Sequence, residues 1–258
     1  MTAWVGTSWK MTKTLAEARG YADALATAAR PGRWPGVQPF VIPPATALTT
    51  VRDALPGSSG VLIGAQNAHW QDAGAWTGEV SVPQVADAGA RLVEIGHSER
   101  REHFGDTDEV VRRKVGATLR HGLVPLVCVG EPDEVRLAGG STQHVLAQVD
   151  AALTGVADLS TVLIAYEPVW AIGEHGRPAE PGDIAGVVAA VVDRWGDRVA
   201  GVLYGGSVSR ANALELMSVP GISGLFIGRA AWDVDGYVAI LDAVAQDTEQ
   251  PVDLSPMG

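Results

Sequence analysis

Three titratable side chains, Lys10, His97 and Glu167, each stand just beyond a short apolar run of the sequence. A carboxylate can take a proton from a carbon atom when partial desolvation raises its pKa toward the working pH. A histidine can polarise a carbonyl group, and a lysine can stabilise the negative charge that then develops on oxygen. If the fold brings the three side chains together, they suit proton abstraction beside a carbonyl group.

Two glycine-containing segments, Gly205-Gly206-Ser207 and Gly228-Arg229, stand in equivalent positions after later apolar runs. Glycines just before a helix leave backbone N–H groups free to point at an oxyanion. In eight-stranded β/α barrels, the loops after strands seven and eight are the usual phosphate-binding position. The two segments therefore predict a phosphorylated substrate.

Eight apolar runs alternate with segments of helical spacing, such as residues 14–29 and 183–195, which predicts a parallel sheet. Because runs such as residues 162–166 are almost wholly apolar, the strands need cover on both faces, and a closed barrel inside a ring of helices provides it. We therefore predict an α/β fold with a single (β/α)8 barrel over residues 1–246 and a mobile tail over residues 247–258. The predicted strands are residues 3–5, 40–42, 61–65, 91–95, 124–129, 162–166, 201–204 and 224–227.

A doubly wound open sheet also fits the periodicity, but no Gly-x-Gly-x-x-Gly segment follows the first run to support it. The chain has 258 residues, of which 47% are apolar and 19% charged, as in an ordinary globular protein. The net charge of −11 repels nucleic acid and anionic membranes, so neither is an expected partner. The single cysteine, Cys128, excludes an intramolecular disulfide, and the absence of a signal segment predicts a cytoplasmic location.

Seven segments, in the same order across nearly the whole chain, resemble those of the triose-phosphate isomerase family. The resemblance implies a TIM barrel and an intramolecular oxidoreductase that interconverts aldoses and ketoses without a metal or cofactor. The segments are SWKM at residues 8–11, GAQN at 64–67, GAWTGE at 74–79, IGHSERR at 95–101, CVGE at 128–131, AYEPVWAIG at 165–173 and YGGSV at 204–208.

By this resemblance Glu167 is the catalytic base, His97 polarises the carbonyl as a neutral imidazole, and Lys10 places a positive charge beside the enediolate. Glu99 would support the lysine and the histidine from behind. Taken singly, each residue also has a structural interpretation. Glu167 could cap a helix, His97 could be a core histidine, Lys10 could be a solvated surface residue, and Glu99 could simply favour the first turn of a helix.

A metal site is the less favoured interpretation of the segment that contains His97, Glu99, Glu102 and His103. A histidine and carboxylates at a helix start, without cysteine or a further histidine, seldom bind zinc. We therefore predict no metal. The arginines nearby, at positions 100, 101, 112 and 113, are most simply solvated or ion-paired helix faces.

The resemblance also implies a phosphate site that is closed by a lid over residues 168–179. Closure would exclude water from the enediolate, and Tyr204 would accept a backbone N–H of the closed lid. The other interpretation of this segment is a long barrel loop, although loops of that length are usually functional. The residues expected to hold the phosphate are Gly173, Ser207, Gly228 and Arg229.

The loop of residues 66–79, from Gln66 to Glu79, resembles the segment that members of the family insert into a second subunit. Thr77 would then reach the partner's active site, which implies a homodimer. Ordinary local packing of Trp70 and Trp76 is the alternative.

Three positions around the expected ligand depart from the family pattern. Ser8 stands where the family usually has asparagine, and it could still donate to the substrate on a shorter arm. Arg229 stands where the family usually has glycine, which would be costly if its φ were positive. The lid has one additional residue, so either Ala179 offers its N–H to Tyr204 or Pro178, which has none, takes that place.

These departures indicate changed specificity, because all three surround the ligand. The segments GTSWKM and FIGRAAWD resemble the branch of the family that isomerises erythrulose phosphates, and Ser8 would make room for the additional carbon. The leading prediction is conversion of dihydroxyacetone phosphate to glyceraldehyde 3-phosphate, in glycolysis and gluconeogenesis. The alternatives are an L-erythrulose 1-phosphate isomerase and a non-catalytic paralogue that binds a phosphorylated metabolite.

Overall fold

Eight parallel strands close into a barrel in the computed structural model, which describes residues 2–173 and 176–249. Each strand pairs with the next along the chain, and β1 pairs with β8. The predicted (β/α)8 TIM barrel is confirmed. The strands are β1 Ala3–Ser8, β2 Val37–Ile42, β3 Leu62–Ala65, β4 Leu92–Ile95, β5 Val124–Val129, β6 Leu163–Tyr166, β7 Gly201–Tyr204 and β8 Gly224–Ile227.

Helices follow every strand and cover the outside of the barrel. The first begins after Thr14, which forms a capping box with Glu17, so the helix predicted from residues 14–29 is present. The helices are α1 Leu15–Ala28, α2 Leu48–Ala54, α3 Val82–Asp87, α4 Ser98–Phe104, α5 Asp108–Arg120, α6 Asp133–Leu137, α7 Ser141–Leu153, α8 Pro181–Trp195, α9 Ala213–Met217 and α10 Val234–Glu249. No described helix has the length and apolarity needed to cross a membrane.

The last helix, α10, extends three residues beyond the predicted end of the domain at residue 246. Residues 247–249 are therefore helical. The remainder of the predicted tail, residues 250–258, lies outside the described residues.

The strand β1 is longer than the sequence predicts, because small and polar residues continue it. Gly6, Thr7 and Ser8 pair with β2 and are buried. A Cβ at Gly6 would overlap the buried ring of Phe40, so only glycine fits this approach. Pairing with strands on both sides outweighs local propensity here, and it carries Ser8 to the carboxyl-terminal end of the barrel.

Side chains of the strands alternate between the barrel interior and the layer beneath the helices. Phe40 and Ile42 of β2 belong to the interior cluster, whereas Val41 between them packs in the outer layer. In β4, Leu92 lies in the interior cluster, and Glu94, two positions further on, faces the same side. The strand therefore directs a carboxylate into the barrel.

Candidate active site

The carboxyl-terminal ends of β1, β4 and β6 bring Lys10, His97 and Glu167 to the same end of the barrel. Nε2 of His97 lies 3.9 Å from Oε1 of Glu167. Lys10 and Glu167 line one cavity of about 590 Å³, and Nζ of Lys10 lies 2.6 Å from Oε1 of Glu99, just after His97. The three groups that the sequence analysis selected are thus placed together.

The hydrogen bonds of His97 determine which of its nitrogens faces the site. Nδ1 accepts the backbone N–H of Glu99 at 3.2 Å, at the start of α4. An accepting ring nitrogen carries no proton, so the proton of the neutral imidazole is on Nε2. His97 is only 5% exposed and can therefore present an N–H donor to a substrate oxygen beside Glu167.

Glu167 is held rigidly by its backbone, while part of its carboxylate is free. Its N–H donates to the carbonyl of Val129 at 2.7 Å, which continues the pairing of β6 with β5. The side chain is buried, and among the described residues no group donates to Oε2. A buried carboxylate oxygen without a partner has lone pairs available to accept a proton from a substrate carbon.

Lys10 is fixed in an unusual backbone conformation by its neighbours. Its φ is 52°, in the left-handed region that non-glycine residues rarely adopt, and Gln66 donates to its carbonyl at 2.8 Å. Burial opposes ionisation of Glu99, yet the hydrogen bond from Lys10 and the nearby His97 lower the pKa of Glu99 overall. The ion pair keeps the ammonium group of Lys10 at the cavity.

The residues predicted to hold phosphate line the same cavity as Lys10 and Glu167. They are Gly173, Ser207, Gly228 and Arg229. Ser207 has a φ of 48°, and its hydroxyl donates to the carbonyl of Ala171 at 2.5 Å, which ties the loop after β7 to the segment predicted as the lid. Arg229 is not among the non-glycine residues with positive φ, so its backbone is unstrained, and its Nη2 donates to the carbonyl of Gly173 at 3.3 Å.

The segment predicted as the lid begins with a single turn, Val169–Ala171, that is anchored to Glu131. Nε1 of Trp170 donates to Oε1 of Glu131 at 2.8 Å. Tyr204 does not line the cavity but lies buried, and its hydroxyl has no hydrogen-bond partner in the described part of the chain. Residues 174 and 175 lie outside the described residues, whereas Pro178 and Ala179 are described and neither donates to the Tyr204 hydroxyl in this structure.

Glu94 is a site residue that the sequence analysis did not select. Its side chain is only 3% exposed, and it accepts the hydroxyl of Ser8 at 2.7 Å. Burial raises the pKa of Glu94 to about 7, an effect that His97 opposes and the charge of Glu167 reinforces. The available signal was a single carboxylate inside the otherwise apolar segment that precedes His97. Ser8 directs its one donor toward Glu94, whereas the sequence analysis expected a donor toward the substrate.

The loop of residues 66–79 is partly packed and partly exposed. The ring of His69 stacks on Trp70 with centroids 4.1 Å apart, so local packing accounts for part of the loop. Trp76 is 48% exposed, and Thr77 is exposed as well. Within residues 2–173 and 176–249 as a whole, no group of three or more His, Cys, Asp or Glu side chains could hold a metal ion.

The sequence model of the family described as triosephosphate isomerase matches residues 3–244. The chain belongs to this family. As a triosephosphate isomerase family member it is an isomerase, and its relatives include proteins named for a different substrate.

Two curated relatives in the triosephosphate isomerase family are named L-erythrulose-1-phosphate isomerase. The protein from Mycolicibacterium smegmatis is 58% identical over 246 residues, which cover 94% of this chain and 93% of that protein. The protein from Mesorhizobium japonicum is 52% identical over 245 residues, which cover 92% and 95%. The crystal structure of triosephosphate isomerase from Bartonella henselae matches with a TM-score of 0.84 and 35% identity, over 95% of this chain and 99% of that one.

Proposed function

We propose that this isomerase acts on L-erythrulose 1-phosphate and moves its carbonyl group to the adjacent carbon. The reaction type is supported by the placement of the Glu167 carboxylate 3.9 Å from Nε2 of His97, with Lys10 at the same cavity. The four-carbon substrate is supported by the 58% and 52% identity to relatives that carry this name. The second candidate substrate, dihydroxyacetone phosphate, is favoured by the family model and by the related crystal structure.

The proposed reaction begins when Glu167 takes the proton from C3 of L-erythrulose 1-phosphate. The electrons of the C3–H bond form the C2–C3 double bond, and the carbonyl electrons move to the oxygen on C2. The Nε2–H of His97 donates to that oxygen, and the ammonium group of Lys10 stabilises its negative charge. Glu167 then returns the proton to C2 while the carbonyl forms at C3, and His97 passes the hydroxyl proton of C3 to the oxygen on C2, so that no other reactant is needed.

The phosphate group would lie against Gly173, Ser207, Gly228 and Arg229, which line the cavity beside Lys10. Closure of the lid over it would exclude water and protect the enediolate from loss of phosphate. Arg229 already contacts the lid through the carbonyl of Gly173, and its guanidinium group could turn to the phosphate instead.

The proposed function is tested by turnover of purified protein on L-erythrulose 1-phosphate and on dihydroxyacetone phosphate. Glu167→Gln keeps the size of the side chain but removes the base, and we expect kcat to fall by at least about 100-fold. Glu102→Gln is the matched control, because Glu102 is an exposed carboxylate with 70% of its side chain in solvent. Its activity should equal that of the wild type.

The assay has three outcomes, and each supports a different function of the protein. Efficient turnover of the four-carbon substrate supports the proposal. Efficient turnover of the triose phosphate alone would assign the protein to the triose reaction and place it in glycolysis or gluconeogenesis. Turnover of neither substrate above the Glu167→Gln background would favour the non-catalytic phosphometabolite-binding paralogue.

We also propose a homodimer formed through the loop of residues 66–79. Met11 is 98% exposed and Phe104 is 66% exposed beside the cavity that contains Ser8, so a partner's loop would cover apolar surface there. Thr77→Arg should then yield monomers in sedimentation velocity, whereas Thr27→Arg on the exposed face of α1 should leave dimers.

A cytoplasmic location remains a prediction from the sequence alone.

A further inference from the structure

Glu94 is a buried carboxylate with unusually little support. Within residues 2–173 and 176–249 its one hydrogen bond is the donation from Ser8 to Oε2, and it takes part in no ion pair. Buried carboxylates are usually paired with a cation or with several donors, because removal of a charge from water is costly. The second oxygen, Oε1, therefore has lone pairs that no described side chain satisfies.

Ser8 and Glu94 together line a cavity of about 400 Å³ at the active end of the barrel. His97 lines this cavity, and Lys10 and Glu99 line both it and the cavity of the phosphate loops. The catalytic groups thus lie between the cavity of the predicted phosphate loops and the cavity that Ser8 and Glu94 line.

This arrangement determines where the two ends of a substrate can lie. If the phosphate binds at the loops after β7 and β8 and the reacting carbons lie between Glu167 and His97, the opposite end of the substrate points toward Ser8 and Glu94. In dihydroxyacetone phosphate the chain ends at the reacting carbon. In L-erythrulose 1-phosphate one hydroxymethyl group continues beyond it.

We propose that Ser8 and Glu94 form a subsite for the terminal hydroxymethyl group of the substrate, whose hydroxyl donates to Oε1 of Glu94. Ser8 acts as a positioning residue, because its hydrogen bond to Oε2 fixes the carboxylate. This inference rests on the proposed function and names the residues that select the four-carbon substrate. A triose phosphate would leave the Oε1 lone pairs unsatisfied, and a site built to bind a hydroxyl discriminates strongly against an analogue that lacks it.

The test compares L-erythrulose 1-phosphate with its 4-deoxy analogue, which has the same carbon chain but no terminal hydroxyl. For the wild type we expect kcat/KM to be at least about tenfold higher for the hydroxylated substrate, as for one hydrogen bond to a charged group. Glu94→Met keeps the side-chain length without an acceptor, and this ratio should fall to near one. Glu94→Gln, which keeps an acceptor oxygen, should give an intermediate ratio.

The ratio of the two kcat/KM values distinguishes recognition of the terminal hydroxyl from a general effect of the substitution on the active site. If Glu94 acts only through the charge of Glu167 or through the fold, both substrates lose activity equally and the ratio in Glu94→Met equals that of the wild type, which would overturn the subsite. If the wild-type protein turns over neither four-carbon compound, the proposed function itself fails. A ratio that falls toward one in Glu94→Met, with turnover of the 4-deoxy analogue retained, supports the subsite.

Discussion

Replacement of Glu94 by glutamine should stabilise the protein at alkaline pH. In the folded chain the pKa of Glu94 is about 7, against 4.5 for an ordinary glutamate, because burial disfavours the charged form. Above pH 7 the folded state must hold this charge, and a shift of that size corresponds to about 3 kcal/mol. Glutamine removes the charge and keeps an acceptor for Ser8.

The pH dependence follows from the direction of the shift. Between pH 4.5 and 7 the folded state binds the proton of Glu94 and the unfolded state does not, so the wild type loses stability as the pH rises. The advantage of Glu94→Gln should therefore be about 3 kcal/mol at pH 8 and about 1.5 kcal/mol at pH 5.5. Below pH 4.5 both states are protonated and the advantage should vanish.

The assay is urea unfolding followed by circular dichroism at pH 8 and pH 5.5, at one protein concentration, because dimerisation would change the apparent stability. Glu102→Gln, on the exposed surface of α4, is the control and should differ from the wild type by less than about 0.5 kcal/mol at both pH values. The reasoning would be refuted by a Glu94→Gln protein that is less stable than the wild type at pH 8. An advantage that is the same at both pH values would refute it equally.

Three further predictions concern the lid, the substrate and the fold. Ser8→Asn should lower kcat/KM on L-erythrulose 1-phosphate more than on dihydroxyacetone phosphate, because the longer side chain enters the space beside Glu94; equal losses on both would count against it. Tyr204→Phe should lower kcat/KM about tenfold if its hydroxyl accepts a lid N–H, with an unchanged urea midpoint, since the hydroxyl has no partner in the described structure. Unchanged kinetics would show that the Tyr204 hydroxyl does not bind the lid. Lys114→Ala should cost about 3 kcal/mol in urea unfolding, because it leaves the buried carboxylate of Asp106 without its 2.7 Å ion pair; a loss under about 1 kcal/mol would show that Arg100 suffices.

Much of the fold follows from local regularities of the chain. Alternation of apolar runs with helical spacing is visible in any short window, and each run becomes a strand of the barrel. Because parallel strands all end on one side of a barrel, the residues that follow β1, β4 and β6 had to meet there. The placement of Lys10, His97 and Glu167 could therefore be predicted before any distance was known.

The Ser8–Glu94 pair could not be predicted in the same way. The two residues are 86 positions apart, and their contact depends on the side to which each strand directs its side chain. The predicted first strand ended at residue 5 and left Ser8 outside it, whereas strand pairing extends β1 through Ser8. Periodicity also placed Glu94 in a strand without showing that it faces the interior, because neighbouring positions on both faces are buried.

The pairing of β1 with β8 has a consequence for synthesis of the protein. Of the eight barrel strands β1 is made first, yet it needs β8, which is made last, as its neighbour, and Nε1 of Trp232 donates to the carbonyl of Ser8 from 224 residues away. At about 5–20 residues per second, the open edge of β1 waits roughly 10 to 50 seconds for its partner. During that interval the edge can pair with other chains, and the surroundings of Lys10 are incomplete. Catalytic activity should therefore appear only once the eighth strand has emerged, and nascent chains that stop before it should depend on chaperones to stay soluble.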